Sequence, residues 1–137
     1  MYDVQRIGKI ISDINKYLGE LKSYNLKKED LSDSKSYRAS SMLIFAVLNR
    51  LIDLGGEIIS AENLGAPNTY QDIMPILAKA NVINKQQSEK INTLIKKRNV
   101  FAHFYEEISE SELYKTIREV YEVEDFLKTI KKRIKLD

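Results

Sequence analysis

The chain has 137 residues, of which 31% are charged, yet its formal net charge is only +2. A chain of that length buries enough surface to fold as one domain without staples, and its near balance of charge gives no broad footprint for nonspecific nucleic-acid binding. It contains no cysteine, which excludes disulfides, thiolate nucleophiles and Cys-based metal sites.

The start at Met1-Tyr2 lacks a basic-then-apolar leader pattern, which points to the cytoplasm. The longest apolar run, Met42 to Leu48, is far below the roughly 20 residues that a membrane span needs. With five glycines, two prolines and no regular apolar–polar alternation, the sequence reads as helical throughout. Ile7, Ile10, Ile11, Ile14, Tyr17, Leu18, Leu21 and Tyr24 make a stripe along a first helix from about Tyr2 to Tyr24. A polar segment, Asn25 to Ser36, interrupts the pattern.

A second helix is expected from Tyr37 to Ala61. Met42, Leu43, Ile44, Phe45, Val47, Leu48, Leu51, Ile52, Leu54, Ile58 and Ile59 cover most of its circumference, which places it at the centre. Asn49, Asp53 and Glu57 form one narrow polar line on it, and Gly55-Gly56 in mid-helix implies close approach by a neighbour. Glu62 to Asn68 is a stop and a turn. Thr69 and Asp72 then open a short helix from Tyr70 to about Ala80. Asn84 and Gln87 open a fourth helix with Ile91, Leu94 and Ile95 on one face. Ser109 and Glu112 open a last one, with Leu113, Ile117, Val120, Leu127, Ile130 and Ile134 inward. The expectation is an all-α antiparallel bundle of four long helices plus one short, one domain over residues 1–137.

Chemistry concentrates in Arg98 to Tyr105, RNVFAHFY. His103 is the only histidine, and imidazole is the side chain suited by default to move protons near neutrality. Asn99 lies one turn before it. Arg98, five residues before it, would stand about 140° away on an ideal helix. The two would converge if the helix ends or loosens near Phe101 to His103. The plain alternative is that His103 is a helix-end dipole partner and Arg98 a surface cation. Two basic clusters, Lys96-Lys97-Arg98 and Lys131-Lys132-Arg133, have the same plain reading as solvated helix ends. No serine sits in a nucleophile-elbow context, one histidine makes a poor metal site, and no glycine loop cradles phosphate. No cofactor is expected.

RNVFAHFY resembles the signature of HEPN-domain RNases: an arginine, an asparagine, three further residues, a histidine, one residue and a tyrosine. Tyr37 to Ile108, with LIDLGGEII, LGAPNTYQDI and RNVFAHFY at matching separations, is similar to the HepT toxins of MNT/HEPN toxin–antitoxin modules. The resemblance implies a HEPN-like fold and a metal-independent endoribonuclease in which Arg98 and His103 act at the scissile phosphate of RNA. Asn99 would support them and Lys96 and Lys97 would bind substrate. It also implies a homodimer, and an MNT-type nucleotidyltransferase antitoxin that transfers AMP to Tyr105. Tyr105 has its own plain reading, a half-buried aromatic beside a helix end. Two other classes compete: a non-catalytic helical subunit that serves a small nucleotidyltransferase as partner or substrate binder, and a helical adaptor in which Arg98 and His103 are structural.

Overall fold

The computed structural model describes residues 1–136. Its helices are α1 (Val4–Ser23), α2 (Ser34–Ala61), α3 (Ile73–Lys79), α4 (Lys85–Ile95), α5 (Arg98–His103), α6 (Glu110–Val120) and α7 (Val123–Ile134), and among the described residues there is no strand. α4 continues into α5 across Lys96–Lys97, and α6 into α7 across Tyr121–Glu122. Taken as two kinked rods, these join α1 and α2 as the long elements of an all-α antiparallel bundle, with α3 the short one. No described helix is long and apolar enough to cross a membrane.

α2 is the centre, as its composition implies, touching α1, α3, α4, α5 and α6. Ile44, Val47, Leu48, Leu51, Leu54 and Ile58 are fully buried along it. Ile7, Ile10, Ile11, Ile14, Leu18 and Leu21 of α1 close over one flank. The apolar coat of α2 is nonetheless not buried all round. Met42 is 69% exposed and Phe45 and Ile52 are half-buried, so one side of the helix stays open.

The helix ends follow side-chain chemistry. Asn84 and Gln87 cap each other's backbone N–H at 2.8 and 3.1 Å, and Asp72 accepts from the N–H groups of Asn68 and Thr69. Ser109 accepts from the N–H of Glu112 at 3.1 Å, but Glu112 sends its own carboxylate to Lys97 instead of back to the cap. α2 begins at Ser34 and not at Tyr37, because Asp33 accepts from the N–H and hydroxyl of Ser36, each at 3.0 Å. The polar stretch before it holds a 3₁₀ turn, Lys28–Ser32, whose Leu31 is buried. The last helix, expected unbroken, is two. At the junction the N–H groups of Glu122, Glu124 and Asp125 bond three residues back instead of four.

The two mid-helix glycines separate. A methyl on Gly55 would overlap Ile73 Cγ2 and stand 3.3 Å from Met74 Cε, whereas one on Gly56 meets nothing within 4 Å. Gly55 is therefore the site of close approach, where α3 crosses. Gly55→Ala is expected to cost about 1–2 kcal/mol, overpacking outweighing the gain in helix propensity. Gly56→Ala is expected to gain about 0.5–1 kcal/mol. Urea unfolding of the two variants checks the pair; equal shifts would contradict it.

At the far end of α2, Arg133 of α7 clasps Glu62 with two bonds, 2.7 and 2.6 Å, and Tyr2 donates to the same carboxylate. The last basic cluster is thus partly structural. The Arg133 guanidinium holds the Glu62 carboxyl below its usual range, burial opposing and Tyr2 assisting. A carboxyl whose folded pKa is depressed adds stability above its unfolded pKa and loses it as the pH falls through the folded value. Glu62→Gln is expected to cost about 1–2 kcal/mol at pH 7. The gap from wild type should shrink as acid protonates Glu62, which denaturant titrations at neutral and acid pH would read.

Candidate active site

α5 is a six-residue helix lying beside α2. The helix does end at His103, within the stretch where an end or a loosening was expected. Helical geometry persists to His103 and stops at Phe104, whose φ of −133° leaves the helix, while the kink lies earlier, at Lys96–Lys97. Phe101 is buried and anchors the turn, leaving Asn99, Val100 and His103 outward.

Arg98 turns back against α2. Its Nε donates to Asn49 Oδ1 at 3.0 Å, and its Nη1 donates to Asn99 Oδ1 at 3.2 Å and to the Tyr70 hydroxyl at 3.4 Å. The guanidinium carbon stands 5.3 Å from the Phe45 ring centroid and 5.4 Å from that of Tyr70, both within cation–π range. Asn99 is therefore bonded to the guanidinium and to Tyr70, whose hydroxyl lies 3.5 Å away, and not to the imidazole.

His103 is exposed, and its imidazole makes no hydrogen bond among the described residues; its neighbour is the Phe104 ring, edge-on at 6.2 Å. The structure thus joins Arg98 and Asn99 by a hydrogen bond, and among the described residues His103 bonds to neither.

Tyr105 is half-buried and tied to the start of α2. Arg38 Nη1 donates to its hydroxyl at 3.1 Å, while Arg38 Nη2 lies 3.2 Å from Glu106. The Tyr37 hydroxyl donates to the carbonyls of Tyr105 and Ile108. Burial, with Glu106 and Glu110 nearby, raises the Tyr37 phenol above its usual range, so it remains the donor that this role needs. Lys96 is exposed. Lys97 points the other way, its Nζ 3.0 Å from Thr116 and Glu119 and 3.1 Å from Glu112, and it straps the kink to α6.

Sequence reasoning missed five residues of this constellation: Arg38, Phe45, Asn49, Tyr37 and Tyr70. The first three, with Met42, recur at intervals of three and four and share one face of α2. α5 runs antiparallel along that face, with Arg98 against Asn49 and Phe45 and Tyr105 against Arg38. The polar line on α2 was the available signal, but it splits. Asn49 reaches Arg98, Asp53 pairs with Arg50, and Glu57 pairs with Arg6. Exposed apolar side chains border the constellation, Met42 at 69%, Phe104 at 55% and Val100 at 40%, and Tyr70 within it is 37% exposed.

The family model described as ribonuclease HepT-like matches residues 14–132. None of the curated protein sequences is a significant match. Among solved structures, the chain is similar to a cytosolic protein of unknown function, YutE of Bacillus subtilis, with 23% identity and a TM-score of 0.85 over 98% of this chain and 93% of that one. A toxin–antitoxin structure with AMP-PNP is similar at 19% identity and a TM-score of 0.84, over 91% of this chain and 96% of that one. The tri-AMPylated HEPN toxin of Shewanella oneidensis, in complex with MNT antitoxin, is similar at 20% identity and a TM-score of 0.85, over 96% and 98% of the two chains. These likenesses establish the fold.

Proposed function

The chain belongs to the HepT-like ribonuclease family, and from that premise we propose that it is the RNA-cleaving toxin of a toxin–antitoxin pair. The observation that carries the reading is the pair of side chains offered by α5: a guanidinium braced against α2 and an imidazole left exposed with no hydrogen bond among the described residues. In the proposed reaction the ribose 2′-hydroxyl attacks the adjacent phosphorus and the bond from phosphorus to the 5′-oxygen breaks. A 2′,3′-cyclic phosphate and a 5′-hydroxyl result. One imidazole accepts the 2′-proton, another donates to the departing oxygen, and Arg98 takes up the developing phosphorane charge.

Two imidazoles require two chains, because each has one histidine. A two-fold homodimer across the face bearing Met42, Val100 and Phe104 would cover that apolar surface and bring both α5 helices to one groove. Asn99 supports the guanidinium. Lys96 is the basic neighbour available to RNA, since Lys97 is engaged by α6.

Control is assigned to Tyr105. Two similar structures are toxin–antitoxin structures, one of them with an AMPylated toxin. On that basis an MNT-type nucleotidyltransferase antitoxin is the partner of this chain, and Tyr105 is its AMP acceptor. The test of the nuclease is direct. Purified protein should cleave single-stranded RNA in EDTA, leave 2′,3′-cyclic phosphate ends, and scatter light at about twice its 15.9 kDa chain mass. A fully active monomer would refute the shared groove, and absence of cleavage would refute the nuclease.

A further inference from the structure

Arginine side chains in this protein usually find carboxylates. Arg6 pairs with Glu57, Arg38 with Glu106, Arg50 with Asp13 and Asp53, and Arg133 with Glu62. Arg118 is exposed. Arg98 differs: it is half-buried, yet its partners are the neutral oxygens of Asn49, Asn99 and Tyr70 and the faces of two rings. Among the described residues no carboxylate pairs with it. A guanidinium partly withdrawn from water without a counter-charge keeps its full attraction for an anion. Its orientation is fixed as well, since Nε is taken by Asn49 and Nη1 by Asn99 and Tyr70, which leaves Nη2 to donate.

We propose that Asn49 is the positioning residue of the site, a neutral acceptor that aims Arg98 at an RNA phosphodiester without neutralising it. The inference rests on the RNA-cleaving reading above and adds a residue from α2 to it. A carboxylate at position 49 would hold the same Nε more strongly but cancel the charge, and so would separate holding from function.

Asn49→Asp and Asn49→Ala test this. Each is assayed for cleavage of a single-stranded RNA, for binding of its 2′-O-methyl counterpart over a salt series, and for thermal stability. The 2′-O-methyl strand lacks the nucleophile, so its binding reads the anion site alone. Asn49→Asp should melt no lower than Asn49→Ala, yet bind at least about tenfold more weakly than wild type. Its salt slope should be shallower by about one phosphate contact, and its cleavage should fall by about 10²–10³-fold. Asn49→Ala keeps the charge and loses the aim. Its kcat should fall about tenfold, less than the roughly 10²-fold of a group misplaced by a full ångström, with KM and salt slope near wild type. A purely structural role gives the opposite order, with Asn49→Asp the more active variant. That order overturns the proposal, as would wild-type activity in Asn49→Ala, which suffices if Asn49→Asp does not fold. Wild-type protein that binds the 2′-O-methyl strand but cleaves no RNA would remove the nuclease reading alone. In that case the affinities of the two variants still decide the role of Asn49. Absence of binding by wild type overturns the inference itself.

Discussion

His103→Ala is expected to lower RNA cleavage by about 10³-fold or more, while the melting temperature stays within a degree or two of wild type. Proton transfer by a placed imidazole contributes about 10²–10⁴-fold, and in a two-fold site one substitution removes both the accepting and the donating group. The small effect on stability follows from exposure, since the ring makes no hydrogen bond among the described residues that folding would miss. Arg98→Ala should lose a similar share of activity but cost more stability. It leaves the acceptor of Asn49 unpaired and empties the space between Phe45 and Tyr70. Rates on a defined oligoribonucleotide, with circular dichroism melts alongside, check both. Wild-type turnover by His103→Ala would remove the imidazole from the mechanism.

The second large effect concerns Tyr105. Co-expression with a cognate MNT-type nucleotidyltransferase should add mass in steps of one adenylyl group and abolish cleavage. In that transfer the phenol oxygen attacks the α-phosphorus of ATP, the bond to the β-phosphate bridging oxygen breaks, pyrophosphate leaves, and a base of the transferase takes the phenolic proton. Tyr105→Phe should carry no adduct and stay toxic in the presence of the antitoxin. The substitution is mild in the fold, because Tyr37 holds the segment through the main-chain carbonyls of Tyr105 and Ile108 and only the Arg38 bond to the hydroxyl is lost. Intact-mass spectrometry with peptide mapping gives the outcome. An adduct on another tyrosine, or none, would end the assignment of Tyr105 and leave the nuclease untouched.

Periodicity made α1, the centrality of α2 and the inward faces of α4, α6 and α7 legible, because the apolar positions of each stripe are mostly buried, with Met42, Phe45 and Ile52 of α2 and the tyrosines Tyr17 and Tyr24 of the first stripe as exceptions. The kinks were not legible. Lys96, Lys97, Tyr121 and Glu122 keep right-handed helical dihedrals, and no proline or glycine marks either break, so the apolar pattern runs through both. At the candidate site, the motif singled out Arg98, Asn99, His103 and Tyr105, which are neighbours in the chain. It could not supply their bracing, since Asn49 lies 49 residues before Arg98 and Arg38 lies 67 before Tyr105. Lys97 is the instructive case. By sequence it is one more cation beside the arginine, and only packing against α6 shows that Glu112 and Glu119 already hold it.

The shared face of α2 also works as a ruler. Arg38, at the acceptor hydroxyl, precedes Phe45 and Asn49, at the guanidinium, by seven and eleven residues, which is about 10–16 Å of helical rise. On the proposed assignment, a phosphate on Tyr105 would begin in the reach of Arg38, well short of Arg98, and a single group there would neutralise Arg38 first. Silencing as proposed would then be a matter of span: the adduct would have to extend back along α2, over exposed Met42, to reach the guanidinium. The length of the added chain, more than its first negative charge, would then set how completely the proposed nuclease is shut.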